Sequence, residues 1–258
     1  MLENSIKGHV LINGASSGIG KALALNLSKN KIKIIAVSRS KDKLEELKKI
    51  DKEIKIFSAD LSQETERINL YKWIKAKNFQ IFSIVNSVGT VLPIKTASEL
   101  LIKEWKKSLA TNFEAPLFTT LLISSLMDFG RILFIGSSSS SKARKGWTPY
   151  CCSKSALKMA VDCLKIEWQE KKILLTTAKP GAVLTKIMKD GINADGNIFP
   201  DKTSFIEAIN KGTYYEPEEV AKFLSWLLIE CPDQEFLKLD WDISDNHHHK
   251  FWKNKDIN

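Results

Sequence analysis

Cysteine, arginine and long apolar runs are all scarce in this chain of 258 residues. The four cysteines (Cys151, Cys152, Cys163, Cys231) follow no CxxC or other metal-ligand spacing. No metal is therefore expected, and without an export signal the thiols read as reduced. Adjacent Cys151 and Cys152 leave a redox role open, although a structural one accounts for them more simply. Only four of the 39 basic residues are arginine (Arg39, Arg67, Arg131, Arg144). Nucleic-acid readers lean on arginine for base edges and cluster their charge on one element. Here lysines are spread along the chain and interleaved with Glu and Asp. The net charge of +9 reads as a solvated surface with a bias towards anionic ligands, and no nucleic-acid partner is expected. No apolar run approaches the roughly 18 residues of a transmembrane helix, so no membrane partner is expected either. The opening MLENSIKGHV carries an acid and no apolar stretch before a small-residue cleavage site, which makes a cytoplasmic location the expectation. There is no repeat and no Pro/Gly/Ser linker. Residues 1–258 read as one domain, long enough to bury a substantial core.

The apolar residues alternate between strand and helix patterns. Strands are expected at 9–13, 31–38, 54–57, 80–86, 131–136, 172–178 and 235–239. Helices are expected at 18–29, 41–50, 63–77, 97–127, 149–170 and 218–229. Strands apolar on both faces and separated by helices predict an α/β fold, a doubly wound parallel sheet of about seven strands with helices on both faces. Residues 184–215, rich in Gly, Asn and Asp, interrupt the pattern and read as a substrate lid. Residues 241–258 form a tail. His247, His248 and His249 lie there and, being consecutive, point in different directions, so a solvated terminus is the expectation. Trp241, Phe251 and Trp252 predict packing over the site or a partner subunit.

Directly after the first strand comes Asn13-Gly14-Ala15-Ser16-Ser17-Gly18-Ile19-Gly20, leading into a helix. Glycines at this point permit a tight turn, close approach of the backbone to a pyrophosphate, and close helix–sheet packing. The following helix N-terminus offers free N–H groups and a positive dipole end. The second strand ends Val37-Ser38-Arg39. An NAD-selective site usually carries an acid here for the ribose 2′-hydroxyl. Ser38 occupies that place, and Arg39 can pair with a 2′-phosphate, so NADP(H) is the expected cofactor. Tyr150-Cys-Cys-Ser-Lys154 opens a strong helix, with Thr148 as its expected N-cap and Pro149 as its first residue. Residues i and i+4 share a helix face, and a neighbouring ammonium favours the phenolate and lowers the phenol pKa.

These motifs, in this order, resemble the short-chain dehydrogenase/reductase family, whose fold is of the Rossmann type. The resemblance spans about residues 8–240 and departs from the usual pattern at Asn13, Ser87 and Val88. It implies that Asp60 and Leu61 lie at the adenine, that Asn86-Ser-Val-Gly89 closes the fourth strand at the cofactor, and that Pro180, Gly181, Val183 and Thr185 flank the nicotinamide. Ser137, thirteen residues before Tyr150 and followed directly by Ser138 to Ser141, takes the family's serine position. Asn112 takes the position of an asparagine that holds a water in a proton relay. Tyr150 would donate the proton and Lys154 would bind ribose and depress the tyrosine pKa.

Within the family, Gly89-Thr-Val-Leu-Pro-Ile94, Gly146-Trp147-Thr-Pro-Tyr150 and the segments around 216–221 and 235–240 resemble the sepiapterin reductase and benzil reductase group. That implies an NADPH-dependent reductase of a ketone or diketone, working on a small carbonyl substrate as a homodimer or homotetramer. The interface would lie on the fourth and fifth helices. Asp240, with Asp242 as the alternative, would anchor substrate. Trp147, Met188, Phe199, Phe205 and Tyr214 would line an apolar pocket. A non-catalytic NADP-binding regulatory protein and a 3-ketoacyl carrier-protein reductase are the competing readings. The intact Ser, Tyr, Lys and Asn set argues against the first, and the chain's ending fits the second less well.

Overall fold

The computed structural model describes residues 8–238 and 240–253. The chain runs β1 (His9–Asn13), α1 (Gly18–Lys29), β2 (Lys33–Ser38), α2 (Lys41–Ile50), β3 (Lys55–Ser58), α3 (Glu64–Ala76) and β4 (Ile81–Asn86). It continues through α4 (Ile102–Leu109), α5 (Ala115–Ile123), β5 (Gly130–Ile135), α6 (Thr148–Glu167) and β6 (Ile173–Lys179). The last part holds α7 (Lys186–Ile192), α8 (Lys202–Asn210), α9 (Pro217–Ile229), α10 (Asp233–Lys238), β7 (Trp241–Asp242) and α11 (His249–Trp252). The strands form a seven-stranded parallel sheet in the order β3-β2-β1-β4-β5-β6-β7.

Alternation along the strands divides the core. Val10 and Ile12 of β1, with Leu133 and Ile135 of β5, face a layer containing Leu23, Leu27, Phe223 and Leu227 of α1 and α9. Leu11, Ile132 and Phe134 face the opposite layer, with Leu70 and Ile74 of α3 and Leu157, Val161 and Leu164 of α6. A parallel strand buried on both faces needs apolar residues at successive positions, which is what the β1 and β5 runs supply. The strand order reverses between β1 and β4, and the carboxyl ends of these two strands, Asn13 and Asn86, lie side by side in register. Ligands of open α/β sheets sit at such a switch point.

Several expected boundaries move. The 97–127 region is broken into a 3-10 turn (Ala97–Glu99), α4, a π turn (Ala110–Glu114), α5 and a final 3-10 turn (Ser124–Leu126). Pro116 has no N–H to return to the Asn112 carbonyl, so the α ladder is interrupted just there. Residues 233–238 are helical rather than a strand, with Asp233 and Glu235 in the first turn, and Leu239 lies outside the described residues. The last strand is Trp241–Asp242, which pairs with Ala178 and Lys179. α6 begins one residue earlier than expected, with Trp147 as its cap and Thr148 as its first residue. The 184–215 excursion carries two helices, and its base is closed by Tyr215 N–H to the Ala182 carbonyl (2.8 Å) and Leu184 N–H to the Tyr215 carbonyl (3.1 Å).

The described part of the tail, 241–253, is solvated only in part: Trp241, Ile243, His248 and Trp252 are buried, while His247 is exposed. His248 is buried, stacked on Phe223 at 4.9 Å, and Trp226 of α9 stacks on Phe251 at 5.6 Å. The tail thus covers α9 of its own chain. Residues 254–258 lie outside the described residues.

Candidate active site

The carboxyl ends of β1, β4, β5 and β6 open into one cleft of about 1420 Å³. That exceeds the space one drug-sized ligand fills and leaves room for a dinucleotide beside a substrate. Gly14, Ser16, Ser17, Gly18 and Ile19 line one end of the cleft. Gly18 has a positive φ of 52°, and a methyl added at Gly20 would stand 2.4 Å from the Gly14 carbonyl oxygen. Gly20 therefore works by letting the turn close on itself and does not line the cleft. Asn13 extends the turn's support: its amide donates to Asn86 Oδ1 (2.8 Å), and Asn86 donates to Thr120 Oγ1 (2.8 Å). Asn86 is thereby a buried strut behind the cleft, not part of its lining.

At the rim, Ser38, Arg39, Lys43, Asp60 and Leu61 border the same space. The Arg39 guanidinium lies 3.9 Å from the Asp60 carboxylate and is largely exposed. Ser38 Oγ accepts the Ser40 N–H, so no carboxylate occupies the end of β2. Gly89, Pro180, Gly181, Val183 and Thr185 line the middle of the cleft.

Ser137, Tyr150 and Lys154 meet at the far end. β5 delivers Ser137 into a short turn, where its hydroxyl accepts the Ser139 N–H at 3.1 Å and lies close enough to the Tyr150 phenol to favour its ionisation. Lys154, one helical turn on, donates from Nζ to the Ile135 carbonyl at 2.9 Å and stands 5.9 Å from the centre of the tyrosine ring. Both side chains are buried. Burial pushes the Lys154 ammonium down to about 8. Burial also raises the Tyr150 phenol above its ordinary value, against the opposing influence of the Ser137 hydrogen bond and the Arg144 charge. The phenol pKa expected to fall is therefore raised in this structure, because desolvation outweighs the Ser137 and Arg144 influences.

Asn112 lies in the π turn, fully buried and outside the cleft lining. Its Oδ1 accepts the Thr90 N–H (2.7 Å), and its Nδ2 donates to the Thr90 carbonyl (2.9 Å) and Ser108 Oγ (3.2 Å). The side chain that resemblance assigns to holding a water is here committed to clasping Thr90, next to cleft-lining Gly89.

Of the residues expected to line a substrate pocket, Trp147, Met188 and Phe205 line the cleft. Phe199 stacks on Trp147 from behind at 4.4 Å, and Tyr214 is not among the lining residues. Asp240 is displaced from its expected place: it accepts a hydrogen bond from Thr177 and pairs with Lys158 at 3.2 Å, outside the cleft lining. Asp242 does line the cleft, its Oδ1 accepting from the Ser244 N–H and hydroxyl. Asp245, His247 and His248 bring ligand-type atoms within 4.8 Å of one another. Both His248 nitrogens are already used, however: Nδ1 accepts from Trp252 Nε1 (2.8 Å), which leaves Nε2 to donate to the Asp242 carbonyl (2.8 Å). Arg144, which sequence reasoning passed over, also lines the cleft and forms an ion pair with Asp201. Its one visible signal was arginine in a lysine-rich chain.

Comparison with known proteins agrees with this geometry. The profile of the short chain dehydrogenase family matches residues 8–195. The chain is 28% identical over 251 residues to a benzil reductase ((S)-benzoin forming) of Bacillus cereus, covering 90% of this chain and 99% of that one. It is 28% identical to a 3-ketodihydrosphingosine reductase of Mus musculus, covering 83% of this chain and 66% of that one. A serine dehydrogenase solved in closed form with NADP+ superposes with a TM-score of 0.74 at 21% identity, covering 88% of this chain and 90% of the other. Sequence profile, sheet order and cleft coincide, and the chain belongs to the short-chain dehydrogenase family of nicotinamide-dependent oxidoreductases.

Proposed function

We propose that the protein is an NADPH-dependent reductase of a ketone or diketone carbonyl, in one catalytic domain of 1–258 with 184–215 as its substrate lid. The observation that carries the reading is the buried Tyr150 phenol, beside Ser137 and one turn from Lys154, in a cleft that begins at a glycine-rich helix start. A nicotinamide cofactor bound along that cleft supplies the hydride for the carbonyl carbon. Gly14 to Ile19 receive the pyrophosphate on backbone N–H groups, and Arg39 takes the 2′-phosphate that the missing acid at Ser38 would otherwise repel. Gly20, Asn86 and Asn112 support the cradle from behind, with Asn112 holding Thr90. Pro180, Gly181, Val183 and Thr185 border the nicotinamide end, and Asp60 and Leu61 the adenine end.

Tyr150 donates the proton to the carbonyl oxygen as charge develops there, while Ser137 hydrogen-bonds that oxygen. A phenol held neutral by burial is a reservoir for this proton. Lys154 fixes the ribose and, once drawn into contact with polar ligand groups, recovers the charge that burial disfavours. Trp147, Phe205 and Met188 give the substrate end an apolar, aromatic wall, which suits an aryl dicarbonyl of the kind named for the benzil reductase of Bacillus cereus. Exposed Leu101, Ile102, Phe118, Met159 and Ile166 on and beside α4, α5 and α6 suit a homodimer or homotetramer interface.

The test is NADPH oxidation with benzil, sepiapterin and other diketones. Tyr150→Phe is expected to abolish turnover while NADPH binding, read by its fluorescence, persists. Near-normal turnover in that variant refutes the assignment.

A further inference from the structure

We infer that Lys179 is a specificity residue, the cation that receives a carboxylate carried beside the reacting carbonyl, and that the substrate class is therefore that of oxo acids. The inference rests on the proposed reductase reading and narrows its substrate. Lys179 is the last residue of β6 and is half-buried. Its stem runs over the end of β5: a methyl added at Gly136, the residue before Ser137, would stand 3.5 Å from Lys179 Cγ. Lys179 lines the cleft together with Ser137, Tyr150 and Lys154. A second space of about 10 Å³, room for one water, is again bordered by Ser137, Lys154 and Lys179. These three side chains therefore converge on the group that the proposed mechanism places at the carbonyl oxygen.

The chain itself leaves the Lys179 charge unused. Lys154 donates to the Ile135 carbonyl, Arg144 pairs with Asp201, and Lys186 pairs with Asp190 at 2.7 Å. The Lys179 ammonium has no hydrogen bond or ion pair among the described residues. Two carboxylates sit on neighbouring elements, and both are turned to other donors. Asp240 accepts from Thr177 and pairs with Lys158 at 3.2 Å. Asp242, the register partner of Lys179 on β7, turns its Oδ1 to the Ser244 N–H (3.0 Å) and hydroxyl (2.7 Å). Lys107 on α4 and Lys189 on α7 line the cleft as well, but both are exposed, and water and salt screen them.

A half-buried ammonium without a counter-charge has lost hydration and gained nothing for it, and a carboxylate entering the cleft supplies a charge-assisted partner. Ser137 and Lys179 stand a side chain's length apart, so the carboxylate belongs within a few bonds of the carbonyl. An aryl 2-oxo acid meets each part of the site. Its ring lies against Trp147 and Phe205, its ketone faces Ser137 and Tyr150, and its carboxylate faces Lys179. Such a compound is a vicinal dicarbonyl in which the second carbonyl belongs to an acid.

Phenylglyoxylate and its methyl ester are the matched probes, because both present an aryl ketone beside a second carbonyl and only the acid is charged. In Lys179→Gln the ratio of kcat/KM for acid over ester is expected to fall about tenfold or more, through KM for the acid. Lys179→Arg keeps the charge and is expected to keep most of the ratio. Both probes are measured on one preparation, so a fraction of unfolded protein cancels from it. An unchanged ratio in Lys179→Gln overturns the inference. So does an NADPH affinity that falls by the same factor, which would assign the charge to the cofactor. If the unsubstituted protein reduces neither probe nor benzil, the reductase reading fails. Calorimetry of phenylglyoxylate binding to the NADPH complex then decides this inference, and equal affinities with Lys179→Gln, or no binding to either protein, overturn it.

Discussion

Arg131→Met tests how the end of α9 is held. The helix terminates at Ile229, and Cys231 N–H has slipped to the Trp226 carbonyl, leaving the Leu227 carbonyl without its helical donor. Pro232 has no N–H to offer the next turn. Arg131 fills the gap from β5, donating to the Leu227 carbonyl (2.7 Å), the Cys231 carbonyl (2.5 Å) and Asp233 Oδ1 (2.6 Å), with its central carbon 5.0 Å from the Phe236 ring centre. Methionine preserves the stem but none of the donors. Two buried carbonyls left unpaired cost about 1–3 kcal/mol each. The Asp233 side chain is 72% exposed, so that ion pair adds at most about 1 kcal/mol. The expected loss is about 3–5 kcal/mol, a fall in Tm on the order of 10 °C for a chain of this size. Thermal unfolding followed by circular dichroism measures it. Arg131→Lys, whose single ammonium cannot span both carbonyls, is expected to fall between the two. A Tm for Arg131→Met within about 2 °C of the unsubstituted protein would show that these carbonyls find other partners, and the capping argument would fail.

Gly20→Ala places a methyl 2.4 Å from the Gly14 carbonyl oxygen, so the turn must open, and NADPH affinity should drop about tenfold or more by fluorescence titration. Retained affinity would contradict the tight-turn role. Burial lowers the Lys154 ammonium to about 8, so between about 8 and 10.5 the unfolded chain binds the proton that the folded chain has lost. Stability should therefore rise with pH across that window in the unsubstituted protein relative to Lys154→Met, and parallel curves would refute the buried charge. Burial likewise lowers His248, so its contribution is present above about 6.5 and lost as pH falls through its lower folded pKa. His248→Phe should flatten the acid side of the Tm-against-pH curve, and an unchanged acid limb would contradict the buried neutral imidazole.

The elements that could be read from the sequence are those whose stability is local or strictly periodic. α1 and α2 occupy the expected residues because their apolar positions recur at helical spacing and turn residues bound them. The 97–127 stretch kept its helical period, yet period alone does not register the turn that widens where Pro116 withholds a donor. Residues 233–238 misled for another reason. A short apolar run such as Phe236-Leu237 is compatible with helix or strand, and here the helix is selected by acids in its first turn and by Arg131 reaching across from β5. Of the tail's histidines, His247 is exposed as expected, but no local pattern announces that Phe223 and Trp226 wait on α9 to receive His248.

The same distinction explains which site residues could be found. Tyr150 and Lys154 are four apart on one helix, and the glycines of the first turn are contiguous, so chemistry and spacing coincide in the sequence. Arg144 and Asp201 are 57 residues apart and meet only because the arm after α7 folds back onto Gly146 and Trp147. Asp240 failed in the opposite sense: its position along the chain suggested the cleft, but Thr177 and Lys158 turn the carboxylate elsewhere. Composition carried a signal that position did not. Arg67 donates to the Leu61 carbonyl at 2.8 Å behind the cleft rim, Arg131 closes α9, and Arg144 joins the serine turn to the arm. Arg131 and Arg144 bridge groups that one strongly hydrated ammonium would satisfy poorly, whereas a planar fork with fixed charge can hold several acceptors at once. In a chain that otherwise uses lysine for its surface charge, the few arginines mark places where geometry, not charge alone, is required. Arg39, the fourth, stands exposed at the cleft rim beside Asp60, where the proposed 2′-phosphate would offer its fork paired oxygens.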